Sequence, residues 1–165
     1  MKYSHILALS LTGILLAGLI LPVSGYEAIL EPIPVDLKVP AAGDVYEDDQ
    51  FFTEAEAVFK SFSNRTIPTG SQQMRVYGAY IRLRGMSISP ENYDDARAAL
   101  AVIYYTAKAS EAYETYFDVK KSVASLTDGS EFYDLAEIYY MTVSNWWKLI
   151  RDRYPKVTLY TLPYK

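Results

Sequence analysis

Aromatic and aliphatic residues recur through the C-terminal part of the chain at a spacing that places them on one side of a helix. The spacings alternate between four and three residues, and the positions are Phe132, Ala136, Tyr139, Val143, Trp146 and Ile150. This alternation is typical of a seam in which one helix packs along another. We predict a helix from about Ser130 to Tyr154, because the residue before Pro155 is disfavoured in helical backbone.

A second column of rings lies beside this seam and repeats every seven residues. It consists of Tyr133, Tyr140, Trp147 and Tyr154. Together the seam and the column cover more than about 100° of the helix surface, which is wider than one neighbouring helix requires. We expect the seam to pack inward and the column to contact a partner, because Tyr and Trp are enriched at protein interfaces. The alternative is a wide seam that touches two neighbours inside a bundle.

Two shorter helices are predicted upstream. An aspartate at position 48 or 49 can cap the first helix, which ends at the breaker sequence NRTIPTG, residues 64–70. Ser71 can cap the second helix. Its apolar stripe is predicted to consist of Met74, Tyr77 and Ile81.

The third predicted helix begins at Ser89-Pro90-Glu91. This tripeptide combines a capping serine, a proline at the first helical position and an acid in the first turn. No helix breaker follows until Asp128-Gly129. A kink or break near Ser110 is expected, because beyond that residue the apolar stripe continues as acidic residues while the rings lie on the opposite side.

These signals predict an all-α fold with a bundle of four to five helices over residues 48–154. Residues 90–126 and 130–154 would form a long C-terminal hairpin. Residues 26–47 contain three prolines, which predict an extended arm because each proline fixes φ and removes a backbone donor. Residues 155–165 form a short β-prone tail that could lie along a groove or pair with a partner's edge.

The N-terminal 25 residues have the pattern of an export signal. Lys2 supplies a positive charge, residues 6–21 carry no charge, and Val23 and Gly25 are small residues placed for cleavage before Tyr26. The uncharged run is short for a membrane helix, which needs about 20 apolar residues. An uncleaved anchor formed by residues 6–21 is the alternative, and it would be the chain's only association with a membrane.

Composition limits the partners and the compartment. The chain has a net charge of −4 and no cysteine. Excess acid argues against nucleic acid, for which a basic stripe is the expected feature. A small secreted eukaryotic domain usually contains disulfides, so export without cysteine favours a prokaryotic envelope, bacterial or archaeal. We therefore expect a secreted or cell-surface protein.

The single histidine, His5, lies in the predicted signal segment. A mature chain without His or Cys cannot form a Ser-His-Asp triad, a usual zinc site or a haem site with a histidine ligand. No Gly-rich phosphate loop is present either. The sequence therefore predicts no metal site and no cofactor.

Carboxylates are the remaining candidates for catalysis. Glu111, Glu114 and Asp118 share one side of the third helix. A carboxylate pair could serve glycoside hydrolysis, and a cluster could bind a hard cation such as Ca²⁺. The alternative is a solvated face that Lys108 and Lys121 partly neutralise.

Two further charged segments have a functional and a structural interpretation. The acidic run at residues 44–49 could ligate calcium, but it lacks the glycine and spacing of an EF-hand, so helix capping is favoured. The basic residues Arg75, Arg82, Arg84 and Arg97 could bind an anionic glycan or phosphate. Ion pairing with residues 54–56 or 94–95 is the favoured interpretation.

Asn64-Arg65-Thr66 is a sequon for N-glycosylation.

Together, these features favour an exported, non-catalytic binding or structural module of a prokaryotic envelope that contacts an envelope or extracellular protein or glycan through the aromatic column. The second hypothesis is an extracytoplasmic carrier of a small apolar or aromatic ligand, in a closed pocket lined by the rings. The third is a carboxylate-dependent hydrolase.

Overall fold

Four α-helices make up the described part of the computed structural model, which covers residues 37–122 and 128–164. The helices are α1 (Asp48–Phe62), α2 (Ser71–Leu83), α3 (Tyr93–Lys121) and α4 (Ser130–Ile150). Short 3₁₀ turns precede α3 at Pro90–Asn92 and follow α4 at Arg151–Arg153. Helices account for 68% of the described residues, among which there is no strand. The prediction of a small all-α bundle is confirmed.

The first two helices begin and end close to the predicted positions. Their N-cap residues are Glu47 and Gly70, so the predicted capping by Asp48 or Asp49 and by Ser71 is wrong. Asp48 and Asp49 lie in the first turn of α1, where carboxylates interact favourably with the helix dipole. Between α1 and α2, Asn64 and Gly70 have positive φ angles of 56° and 57°. These left-handed residues change the direction of the chain, because an α-helix cannot continue through them.

α3 is assigned as one continuous helix of 29 residues, so the predicted break near Ser110 is wrong. The six consecutive residues 98–103 are all buried, and six residues cover the whole circumference of a helix. Ser110 is also buried, and its hydroxyl donates to the Thr106 carbonyl at 2.8 Å. Residues 98–103 thus have neighbours on every side. Beyond Ser110 the acidic Glu111 and Asp118 are exposed while Tyr113 and Tyr116 are buried, so the predicted change of buried face occurs within one continuous helix.

α3 and α4 form the predicted antiparallel hairpin. Tyr105 of α3 lies beside Tyr139 of α4, with ring centroids 6.0 Å apart. Later in α3, Tyr116 lies beside the earlier Tyr133, at 5.5 Å. The contacting residues therefore run in opposite directions along the two helices.

α1 and α2 complete the bundle. Phe59 of α1 packs edge-on against Trp147 of α4, with centroids 5.3 Å apart. Tyr80 of α2 packs against Tyr104 of α3 at 4.9 Å. The buried residues of α2 are Val76, Ala79, Tyr80 and Leu83. α2 therefore reaches the core through one face only.

Residues 37–47, the described part of the predicted arm, are fixed to the bundle. Leu37 is buried. The Glu47 N–H donates to the Ser87 carbonyl at 2.8 Å, and the Ser87 N–H donates to the Glu47 carboxylate at 2.9 Å. This reciprocal pair holds the chain against the segment between α2 and α3.

The predicted signal at residues 1–25 and the first part of the arm, residues 26–36, lie outside the described residues. The predicted cleavage and anchor alternatives therefore stay predictions. Of the four described helices, none combines the length and the apolar character that crossing a membrane requires.

Candidate functional site

The aromatic column of α4 is largely buried. Tyr133, Trp147 and Tyr154 are only 7%, 9% and 4% exposed, and Tyr140 is half-buried. The prediction that these four rings form an exposed surface is therefore wrong. A partner could reach these rings only if the segments of the chain that cover them moved away.

The column differs from its predicted role because α1 packs on the column side of α4. Ala136, Val143 and Ile150 of the seam are buried, as predicted. Trp147 of the column contacts Phe59 of α1 and stacks on Tyr154, with a centroid distance of 6.1 Å and nearly parallel planes. Trp146 and Tyr139, which were predicted to pack inward, are half-buried. The side of α4 that faces the core is thus shifted toward the column from where the sequence placed it.

The C-terminal tail covers the rest of the column. The Tyr133 hydroxyl donates to the Pro163 carbonyl at 2.9 Å, and the Tyr140 hydroxyl donates to the Tyr160 carbonyl at 3.1 Å. The Tyr160 ring is fully buried, and its centroid lies 5.3 Å from Tyr140 and 5.5 Å from Phe62. The wide aromatic face therefore does form a groove, and the chain's own tail occupies it.

The connection between α1 and α2 holds the other side of the tail. The Ile67 N–H donates to the Thr161 carbonyl, and the Thr161 N–H donates to the Arg65 carbonyl, each at 2.9 Å. These two bonds form an isolated parallel bridge between Thr66 and Thr161. The tail thus lies between side-chain hydroxyls of α4 and backbone groups of the α1–α2 connection.

Burial also removes acid–base chemistry from two of these tyrosines. It raises the pKa of Tyr154 and of Tyr160 well above the usual range of a phenol. The nearby Thr106 hydroxyl acts on the pKa of Tyr160 in the opposite direction, but the two hydroxyl groups do not form a hydrogen bond. Both rings keep their protons at physiological pH and contribute to the fold by packing.

Little of the column remains at the surface. The edges of Trp147 and Tyr154 line a shallow depression of about 530 Å³, together with Arg151, Val157 and Leu159. This depression is open to solvent. It is therefore not the closed, ring-lined pocket that the carrier hypothesis requires.

A second groove, of about 840 Å³, lies between α1 and α2. Its apolar lining includes Val58, Val76 and Ala79, and Arg75 and Arg82 contribute charged groups. None of its lining residues is aromatic. It is therefore a different site from the one that the sequence predicted.

The three candidate catalytic carboxylates are separated by their contacts. The Glu111 carboxylate lies 2.6 Å from the Lys108 ammonium, and this contact raises the pKa of Lys108. The Glu114 carboxylate accepts a hydrogen bond from the Gly70 N–H at the start of α2. Asp118 borders a recess of about 550 Å³ that also contacts Lys121. The structure brings Glu114 and Asp118 to one recess and directs Glu111 to a lysine on its own helix.

The acidic run at residues 44–49 has structural partners. The Asp44 carboxylate lies 2.9 Å from the Lys38 ammonium, which is the main reason that the pKa of Asp44 is lowered. The Asp48 carboxylate accepts from the Ser89 N–H at 3.0 Å. Within residues 37–122 and 128–164, no cluster of three or more His, Cys, Asp or Glu side chains could hold a metal ion.

The basic residues divide between ion pairing and ring contact. Arg82 lies 3.7 Å from the Glu54 carboxylate, as the ion-pair interpretation predicted. Arg84 lies over the ring of Tyr80, 5.9 Å from its centroid. Arg97 is half-buried.

The apolar stripe of α2 faces solvent. Met74, Tyr77 and Ile81 are 73%, 45% and 45% exposed. The residues that the sequence assigned as the apolar face of this helix thus point away from the core. The signal for this surface was present, since α2 also carries apolar residues at positions 76, 79, 80 and 83, and a helix at the edge of a small bundle cannot bury two apolar faces.

Asn64, the residue of the sequon, is exposed in the turn after α1. Its side-chain oxygen accepts a hydrogen bond from the Thr158 hydroxyl at 2.5 Å. Glycosylation of Asn64 stays a prediction.

Comparison with known proteins gives no relative from which a site could be transferred. No protein-family model matches the chain, and no curated protein or solved structure is detectably similar to it.

Proposed function

We propose that the protein is an exported, non-catalytic module of a prokaryotic cell envelope that binds a protein or glycan partner through the outward face of α2. This face consists of Met74, Tyr77, Gly78 and Ile81. The observation that carries the proposal is the exposure of its three large apolar side chains on one stripe. Contiguous exposed apolar surface often marks an interaction site.

The outward face of α2 replaces the aromatic column in this role. The tail occupies the column, and the bonds from Tyr133 and Tyr140 to the tail backbone hold it there. No described segment covers Met74, which is 73% exposed. A partner can therefore contact α2 without any rearrangement of the fold.

A non-catalytic role is supported by the contacts of the candidate carboxylates. Glu111 contacts Lys108, and Glu114 accepts a bond from the backbone at the start of α2. Each of these contacts stabilises local structure. Export is supported by the signal pattern of residues 1–25, and a prokaryotic envelope is supported by the absence of cysteine from the sequence.

Carriage of a small apolar ligand in the groove between α1 and α2 is a second candidate. The groove volume of about 840 Å³ falls in the range of about 300–1,000 Å³ that is usual for ligand sites. A fluorescent apolar probe should then bind the purified protein, and Ala57→Trp, which fills the groove from an exposed lining position, should abolish binding. Binding that is unchanged in this variant would exclude the groove.

Site-specific photo-crosslinking in the producing cell tests the proposed function. A photoreactive residue at position 74 should give an adduct of increased mass. The same residue at position 45, where the natural Val45 is 83% exposed but lies outside α2, is the matched control and should give none. Absence of an adduct at position 74 would refute binding through α2.

A further inference from the structure

The outward face of α2 has a counterpart of opposite charge on α4. We propose that the two faces bind each other between copies of this chain, so that α2 of one copy docks on α4 of the next. This inference rests on the proposed function and names the partner at the α2 face. The contact is heterologous, because the two surfaces that meet are different.

The α2 face has the shape of a helix-docking surface. Met74, Tyr77, Gly78 and Ile81 occupy positions i, i+3, i+4 and i+7, which share one side of a helix. Gly78 lies in the middle of the stripe, and a Cβ atom placed there would meet only the Arg82 guanidinium, at 3.8 Å. A partner helix can therefore approach the backbone of α2 closely between the larger side chains.

The α2 face is also basic. Residues 70–90 contain Arg75, Arg82 and Arg84 and no acidic residue. This is unusual in a chain whose net charge is −4. Arg75 and Arg82 each follow a stripe residue in the sequence, so positive charge borders the apolar side chains. The Glu54 carboxylate, 3.7 Å from Arg82, offsets part of this charge.

The counterpart lies on the first half of α4. Glu131, Asp134, Leu135 and Ile138 occupy the same i, i+3, i+4 and i+7 pattern, and Leu135 and Ile138 are 38% and 45% exposed. Residues 128–147 contain four acidic residues and no basic one. Glu131 and Asp134 also interact within their own chain, so their contribution to the face is negative charge beside exposed apolar side chains.

Charge selects the pairing of α2 with α4 over symmetric pairings. Two α2 faces related by a two-fold axis would bring arginines together, and two α4 faces would bring carboxylates together. Like charges opposed across an interface are unfavourable, whereas a positive patch against a negative one guides the partners into register. Only the mixed pairing covers both apolar stripes and places opposite charges side by side.

One copy can use both faces at once. The two stripes lie on different helices, and Met74, Ile81, Leu135 and Ile138 are all exposed in the same fold, so the outward faces are available together. A heterologous contact that repeats from copy to copy gives a closed ring or an open filament, depending on the rotation between copies. Either product is consistent with a structural role at a cell surface.

Sedimentation velocity of the purified exported protein tests the inference. The average mass should rise with concentration, and added salt should reduce it because salt screens charge pairs. Ile81→Glu disrupts only the α2 face and Ile138→Arg disrupts only the α4 face. Each variant alone should remain monomeric, with an unchanged circular dichroism spectrum.

The two variants together provide the decisive measurement. An equimolar mixture should form a 1:1 dimer and nothing larger, because the intact α4 face of the first variant meets the intact α2 face of the second. Self-association of Ile138→Arg alone, or no complex in the mixture, would overturn the α2–α4 pairing. A wild-type protein that stays monomeric up to about 1 mM, a concentration that reveals contacts as weak as about −4 kcal/mol, would also overturn it.

Failure of this inference can be distinguished from failure of the proposed function. If the photoreactive residue at position 74 gives an adduct with twice the mass of the chain, a second copy is the partner. An adduct with a different molecule refutes self-assembly and retains α2 as a binding surface. No adduct refutes both.

Discussion

α2 and α4 each carry more apolar surface than one neighbouring helix can cover, yet only one of the two surfaces is filled. The aromatic column of α4 is covered by the tail, which places Tyr160 between Tyr140 and Phe62. The outward stripe of α2 keeps Met74 73% exposed. Both helices thus present a broad apolar face. On α4 the chain's own tail covers it, and on α2 we propose that a separate partner does.

The tail should be an integral part of the α4 side of the core. Tyr160→Ala should lower the free energy of unfolding by about 3–5 kcal/mol, the range for truncation of a large buried ring, because Tyr160 is fully buried. Urea denaturation measures this loss. Tyr164→Ala is the matched control, since Tyr164 is fully exposed and should change stability by less than about 0.5 kcal/mol. Equal effects would show that the tail does not fill the groove.

The two neighbouring tryptophans should differ in their contribution to stability, because Trp147 lies on the buried side of α4 and Trp146 on its partly exposed side. Trp147→Ala should cost about 3–5 kcal/mol, and Trp146→Ala about 1–2 kcal/mol. The sequence predicts the opposite order, because its seam contains Trp146. Thermal and urea unfolding of the two variants under identical conditions decides between the two orders. A larger loss for Trp146→Ala would restore the sequence-based assignment.

Alkaline pH should lower the free energy of unfolding through the buried Tyr160 of the tail. Burial raises the pKa of Tyr160, so its proton is lost only after unfolding, where the pKa of a tyrosine is about 10. Stability is therefore fully present below about pH 10 and falls as pH rises above it, by about 1.4 kcal/mol at pH 11 for one such tyrosine.

Tyr160→Phe isolates this contribution. The variant should lose less stability than wild type between pH 9 and pH 11, and the difference should be about 1.4 kcal/mol. Urea unfolding at the two pH values measures it. The same fall in both proteins would mean that the Tyr160 hydroxyl titrates normally in the folded chain.

The smallest effect on stability is expected at α2. Ile81→Ser should change the free energy of unfolding by less than about 0.5 kcal/mol, because Ile81 is 45% exposed, whereas it should reduce association through the α2 face. Val76→Ser, five residues earlier in α2 but on the buried face, is the control and should destabilise the fold. A large loss of stability for Ile81→Ser would place it in the core and remove the contrast with α4.

The sequence was a good guide to the helices and a poor guide to their exposed sides. The breaker sequence at residues 64–70 and the proline at position 90 mark helix ends through local backbone geometry, so α1 to α4 were predictable. The predicted side-chain caps do not contribute, because no side-chain cap hydrogen bond forms at the start of α1, of α2 or of the turn before α3. The break expected near Ser110 was wrong because α3 is enclosed on all sides at residues 98–103 and loses its single stripe there, while the helix itself continues. Periodicity detects a stripe only when one side of a helix faces water.

The amino-acid order by itself determined that this chain forms four amphipathic helices, that two of them carry surplus apolar surface, and that α2 is basic while the first half of α4 is acidic. Tertiary structure decided which of these two apolar surfaces is covered. Thr161 reaches Arg65 across 96 positions of the chain, and contacts at such separations do not follow from the local spacing of residues. Helix formation depends on neighbours within a few residues, whereas burial of a face depends on whichever distant segment packs against it.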